Sequence, residues 1–365
     1  MGGAERQGVY LVEHLKRLGA DVEVLAFEDG EVVRKDLDHL GVKVVAFPYY
    51  FRWPRAKRAR ALGSLVRLLR SEIKPDALLP FVGIHSKTMA MVWPYTGARF
   101  CWWNQQDEGR DLTGTRVESR VLRKVSTINS NSYAGRDFLA GTYGLDPGSI
   151  HVYNNGTPIP ERAETGVWRT REQLGERKIV SMIANVTQFK DHETLIRAWK
   201  MVRDRSRDAQ KPVLILAGHL READTVRKLK IQAFELGLSG DDVRFLGPVD
   251  DVQPLFADSD LVVHSSLTEG CPNAVCEAMA MRRAVVATDI SGSRQALGTE
   301  GVEWLAVPRN SQDLAERIIR LLENAELRNS VGDANRQRIA SHFTIEAMNQ
   351  FFQAEIEKGL GRSIA

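Results

Sequence analysis

The sequence predicts an α/β chain made of two doubly wound, parallel-sheet domains, and three observations carry that expectation. At 365 residues the chain exceeds one ordinary domain, and length alone favours two. Short apolar runs alternate with amphipathic, helix-period stretches, the pattern of parallel strands joined by crossover helices. The alternation also restarts: after the linker-like Thr157-Pro158-Ile159-Pro160, a fresh strand-like run begins at Lys178.

In chain order, Gly2-Gly3-Ala4-Glu5-Arg6 leads at once into a helix whose Val9, Leu11, Val12, Leu15 and Leu18 form an apolar stripe, closed by Gly19. Strands are expected at 21–27, 41–47 and 75–81. In a doubly wound sheet a glycine-rich turn normally follows the first strand. Upstream coding sequence is therefore expected to encode that strand in frame, and an in-frame stop there would contradict the expectation.

Between the second and third strands Arg52, Arg55, Lys57, Arg58, Arg60, Arg67, Arg70 and Lys74 crowd one segment, in which Leu62, Val66, Leu69 and Ile73 recur at helical spacing. Two readings of this basic helix stand: a crossover helix with a solvated cationic face, or a docking surface for an anionic membrane. His85 falls in an expected loop, Gly83 to Lys87, at a strand's carboxyl end, where open parallel sheets hold ligands. The run 98–103 ends in Asn104-Gln105-Gln106-Asp107.

The second half offers strands at 178–184, 212–218, 243–247, 260–264, 284–288 and 301–306, with a turn at Gly292-Ser293. Leu314, Ile318, Leu321 and Leu322 mark a helix, and another is expected from His342 onward.

Bulk properties narrow the function. A net charge of +3 does not by itself imply a nucleic-acid binder. The cysteines Cys101, Cys271 and Cys276 have no zinc spacing and are too few for a disulfide framework, which suits a reducing compartment. No apolar run reaches the roughly 20 residues of a membrane span, and no secretory signal opens the chain, so a cytoplasmic location is expected.

The most informative stretch runs from Ser265 to Met281 and joins the strand 260–264 to a helix. Gly270 permits close backbone approach to a ligand, Pro272 suits the first helical position, and the unpaired amides of a first turn bind anions. Glu269 lies in the loop. Glu277 lies along the helix, roughly opposite the apolar face of Val275, Ala278 and Met279. Acceptor-only carboxylates beside such a helix start suit sugar and ribose hydroxyls.

Glu269 and Glu277, with seven residues between them and Pro-Asn inside, resemble the E-x7-E signature of the GT4 family of retaining glycosyltransferases, which have the GT-B fold. The resemblance implies two Rossmann-like domains facing a cleft: an acceptor-side domain at 1–160, a donor domain at 161–341, and a helix at 342–365 returning to the first. It implies that Lys190 meets the donor diphosphate and that Glu269 contacts the transferred sugar. Glu277 then accepts from the ribose, and the backbone of Gly270, Cys271, Pro272, Asn273 and Ala274 holds the sugar and distal phosphate. Where the family commonly has an arginine, this chain has Asn185, with uncharged Thr187 nearby, and Gly2 and Gly3 are the remaining donor-side candidates. On the acceptor side the family's usual histidine is replaced by Asn104, Gln105 and Asp107, with His85 a further candidate.

The implied activity is metal-independent transfer from a nucleotide sugar, expected to be a UDP-sugar, to a glycan or lipid-linked acceptor in cell-surface polysaccharide or glycolipid synthesis. No cofactor is expected beyond that co-substrate. Two alternatives are a nucleotide-sugar epimerase, which needs its own acid and base pair, and a weakened nucleotide-sugar-binding or scaffold protein.

Overall fold

In the computed structural model, the described residues are 3–27, 37–110, 112–220 and 222–364. Gly2 lies outside them. The chain divides into two compact units, Met1–Gly156 with Ile345–Ala365, and Thr157–Thr344.

Unit one holds two parallel sheets. One pairs β1 (Glu23–Ala26) with β2 (Lys43–Ala46); the other has the order β3 (Ala77–Leu78), β4 (Phe100–Gln105), β5 (Thr127–Ser130), β6 (Ile150–Val152). Among the described residues no strand is hydrogen-bonded between β1 and β3. The two sheets nonetheless share an apolar layer, in which Leu25, Phe27 and Phe47 join Leu65, Leu69, Leu78 and Met89. Leu65 and Leu69 are the buried positions of the basic segment, so its inward stripe is centred on Leu65. The segment is an α-helix over Arg55–Arg67 continued by a π-helical turn, Leu68–Ile73.

β4 is buried along its whole length and carries a second core. There Trp102 and Phe100 pack with Leu11 and Leu15 of the helix Gly3–Arg17 and with Phe352 and Ile356 of the last helix, Ile345–Leu360. Trp102 also donates its indole N–H to the Pro80 carbonyl at 2.8 Å, so its polar edge is satisfied where no water reaches.

Elsewhere in unit one, Glu118 is fully buried in the helix Arg116–Leu122. Its carboxylate accepts from Lys87 Nζ at 2.5 Å, the Thr115 amide at 2.8 Å and Tyr143 Oη at 3.1 Å. Burial alone would raise its pKa, but Lys87 and the Thr115 amide pull it down to about 2. A depressed carboxylate stabilises the fold above its unfolded pKa and loses that contribution as pH falls through the folded value. Glu118→Gln is expected to lower stability by about 1.5–3 kcal/mol at neutral pH. In denaturation curves the gap from wild type should close as pH drops from 4.5 towards about 2; a gap constant with pH would contradict it.

Unit two is one six-stranded parallel sheet. Its order is β12 (Leu305–Ala306), β11 (Val285–Thr288), β10 (Leu261–His264), β7 (Ile179–Ile183), β8 (Val213–Ala217), β9 (Val243–Gly247). Val180, Leu214, Val262 and Val285 are buried between helices on both faces, as expected of all-parallel strands.

Three local expectations are corrected. Gly83 to Lys87 is the start of the helix Gly83–Val92 and not a loop, because β3 is only two residues long and the chain turns at Val82, φ +73°. Gly292 and Ser293 lie in the helix Ser291–Leu297, where a Cβ on Gly292 would stand 2.1 Å from the Gly270 carbonyl; the glycine serves close packing and not a turn. The run 301–306 is mostly a 3-10 turn, Val302–Trp304, ahead of a two-residue strand.

Candidate functional site

In unit two the chain moves outward in both directions from β7, to β8 on one side and β10 on the other. The loops leaving the carboxyl ends of β7 and β10 thus flank the topological switch point, the position at which open α/β sheets bind ligands. Both loops leave largely buried strands, β7 ending in half-buried Ile183 and β10 in buried His264, which fix where they start.

The β7 loop ends in a 3-10 turn, Gln188–Lys190, and a left-handed Asp191 that caps the helix His192–Arg205 through Oδ1 and the Thr194 amide, 3.3 Å. The β10 loop runs from Ser265 to the helix Asn273–Ala280. Two hydrogen bonds join the loops: Leu267 N to Phe189 O and Ser265 Oγ to Lys190 O, each 2.8 Å.

Lys190 and Glu269 meet there. Lys190 Nζ donates to Glu269 Oε1 in an ion pair whose side chains are 21% and 13% exposed. The same oxygen accepts from Ser266 Oγ at 2.6 Å and lies 2.8 Å from His264 Nε2. Burial of Glu269 favours its neutral form, but the Lys190 charge and the His264 hydrogen bond outweigh it and hold the carboxyl well below the usual range. Burial lowers the His264 pKa despite Glu269. A neutral imidazole with its proton on Nε2 fits this contact.

His192, at the start of the helix after Lys190, is 2% exposed, and neither ring nitrogen has a protein partner among the described residues. Its pKa is pushed down to about 3, above all by burial, and the nearby Lys190 ammonium opposes its protonation further. Among the described residues, no three His, Cys, Asp or Glu side chains gather as a metal site.

The helix after Glu269 begins at Asn273, so Pro272 stands one position before it, φ −78° and ψ 91°, with no side-chain cap. Its carbonyl accepts from Val275 N and Cys276 N. Glu277 is half-buried, while Val275, Ala278 and Met279 are fully buried. Gly270 is buried against Gly292, and Asn273 and Ala274 are half-buried. Cys271 and Cys276 are buried free thiols with sulfurs 4.0 Å apart. Their mutual hydrogen bond and burial raise the Cys276 pKa, which fits packing better than reactivity. Asn185 is tied to the loop after β8, its Oδ1 accepting from His219 N at 3.1 Å.

The first-half candidates lie in unit one. Gly3 opens the first helix. His85 is half-buried, with its ring edge against Phe27 at 5.1 Å. Asn104 and Gln105 are fully buried. Asn104 Oδ1 accepts from Tyr153 Oη at 2.7 Å, and Gln105 links Trp103 Nε1 at 3.1 Å to Asp107 Oδ1 at 2.7 Å. Asp107 Oδ1 also takes the Gly109 amide.

Sequence reasoning missed His264, Ser266 and His192. The available signals were a histidine ending the apolar run Leu261-Val262-Val263 and a second histidine two residues after Lys190.

Two Rossmann-like units, each with parallel sheets, define the GT-B class, and solved structures of that class match the chain almost end to end. A Rickettsia africae glycosyltransferase superposes with a TM-score of 0.83 at 18% identity, covering 99% of this chain and 96% of that one. The Anabaena protein HepE, solved in complex with UDP-glucose, gives 0.84 at 22% identity, covering 98% and 96%. Two family models fill in the rest: Glycosyltransferase Family 4 matches residues 1–159, and Glycosyl transferases group 1 matches 177–324. The chain belongs to these GT4-like glycosyltransferases.

Among named relatives, an MMP alpha-(1->4)-mannosyltransferase of Mycolicibacterium hassiacum is 24% identical over 267 residues, 72% of this chain and 62% of that protein. A Campylobacter jejuni N,N'-diacetylbacillosaminyl-diphospho-undecaprenol alpha-1,3-N-acetylgalactosaminyltransferase is 28% identical over 155 residues, 42% and 38%. In both, the matched stretch spans less than two thirds of the relative's length.

Proposed function

We propose that the chain is a metal-independent, retaining glycosyltransferase that moves a sugar from a UDP-sugar to a glycan or lipid-linked acceptor in cell-surface polysaccharide or glycolipid synthesis. The observation that carries this reading is the meeting of Lys190 and Glu269 at the switch point of unit two, at the head of the helix bearing Glu277. UDP-glucose bound to HepE and the diphospho-undecaprenol acceptor in the Campylobacter enzyme's name support the donor and acceptor classes by likeness.

In this reading the acceptor oxygen attacks the anomeric carbon from the face the diphosphate leaves. The carbon–oxygen bond to phosphate breaks, and the acceptor's proton passes to a phosphate oxygen. Lys190 stabilises the charge that grows on that leaving group. The first-turn amides of Asn273–Ala280 add backbone donors, and Glu277 accepts from the ribose hydroxyls.

The test is UDP release from a panel of UDP-sugars, with undecaprenyl-diphosphate-linked saccharides as acceptors, with and without EDTA. Release that survives EDTA, with the donor's anomeric configuration kept in the product by proton NMR, is expected. Nucleotide binding with no release would point to a binding protein, and loss with EDTA would overturn metal independence.

We also propose that the chain works in the cytoplasm against the inner face of the membrane. No helix among the described residues is long and apolar enough to cross one. Arg52, Arg55, Lys57, Arg60, Arg67 and Arg70 are exposed, Lys57 sits 3.8 Å over the Trp53 ring, and Tyr50 is 42% exposed beside it. Cations beside amphipathic aromatics suit an anionic interface. Co-sedimentation with vesicles containing acidic lipid is expected and should fall with added salt; no binding to acidic vesicles would leave the helix as a solvated crossover, and equal binding to neutral ones would contradict the role of its charge.

A further inference from the structure

Resting on the donor reading above, we infer that Lys190 is exchanged between two anions, held by Glu269 in the free protein and by the donor diphosphate in the complex. In this structure the ammonium is bound by Glu269. A donor diphosphate needs the same ammonium, and Asn185 and Thr187, the positions flanking this loop, bring no charge to replace it.

The geometry makes the exchange cheap on the carboxylate side. Glu269 keeps His264 Nε2 at 2.8 Å and Ser266 Oγ at 2.6 Å when the lysine leaves, so its charge stays hydrogen-bonded and aimed. His264 is itself held, 3.0 Å from Ser266 Oγ. On the other side, Lys190 carries its charge on a flexible four-carbon stem with three donor hydrogens, and it ends a 3-10 turn whose backbone is fixed by Ser265. The side chain can swing while the loop stays in place.

The functional consequence is competition. Glu269 Oε1 serves lysine, histidine and serine together. A diphosphate must break the Lys190–Glu269 ion pair to take the ammonium, so the carboxylate opposes nucleotide binding until it does.

The test is isothermal titration of UDP into wild type, Glu269→Gln, Lys190→Ala and the double variant. Glutamine cannot hold the ammonium by charge, so Glu269→Gln is expected to bind UDP about 5-fold tighter, the scale of one ion pair, while its sugar transfer falls. The gain should vanish in the Lys190→Ala background. Equal or weaker UDP binding by Glu269→Gln, or a gain that persists without Lys190, overturns the exchange while the donor reading stands. Wild type that binds no UDP overturns both. If Glu269→Gln does not fold, wild type with 15N-labelled lysine gives the same answer: the Lys190 ammonium resonance must move on addition of UDP and stay put with uridine, and an unmoved resonance overturns the exchange.

Discussion

Replacing Lys190 by alanine is expected to lower sugar transfer by about 100-fold, with most of the loss in kcat, the effect of removing one preorganised charge from a leaving group. The fold should survive the change. Lys190 lies in a loop, its carbonyl contact with Ser265 is unaffected by truncation, and Glu269 retains His264 and Ser266. Initial rates at saturating donor, alongside a circular dichroism spectrum, check this. Turnover within a few-fold of wild type would remove Lys190 from the reaction.

The largest expected loss of stability comes from Trp102→Ala, about 3–5 kcal/mol for a fully buried aromatic. Trp102 is 0% exposed and lies 5.0 Å from the ring of Phe352 and 5.8 Å from that of Phe81. The truncation would leave a cavity between β4 and the helix Ile345–Leu360 and strand the Pro80 carbonyl without its indole donor. Urea denaturation checks it, with the loss falling on the transition of unit one; a change below about 1 kcal/mol would mean that the site collapses or hydrates freely.

The strands were legible because parallel strands buried on both faces are apolar runs: Leu261-Val262-Val263 and Val285-Val286-Ala287 leave little choice. The spacing of Glu269 and Glu277 also singled out the candidate site, since a fixed spacing across a loop-helix junction is readable without knowledge of the rest. What the sequence did not show is contact between segments far apart in the chain. Lys190 and Glu269 are 79 residues apart, and only the adjacency of β7 and β10 makes them an ion pair. His264 and His192 carry no periodic signal, because each is a single polar residue at an element's end. Gly292 looked like a turn because a glycine needed for close approach and one needed for a turn are the same letter. The helix Ala325–His342 escaped because few of its residues face the core: Gly332, Asn335 and Ile339 are buried, and only Ile339 is strongly apolar.

The most direct test of the central claim, that the loops of Lys190 and Glu269 with the Glu277 helix hold a nucleotide sugar, is saturation-transfer NMR with UDP-, GDP- and ADP-sugars on wild type and Glu277→Ala. The account predicts saturation of the uridine ribose protons of UDP-sugars with wild type and its loss in the variant. No saturation for any nucleotide sugar, or ribose saturation undiminished in Glu277→Ala, would contradict it.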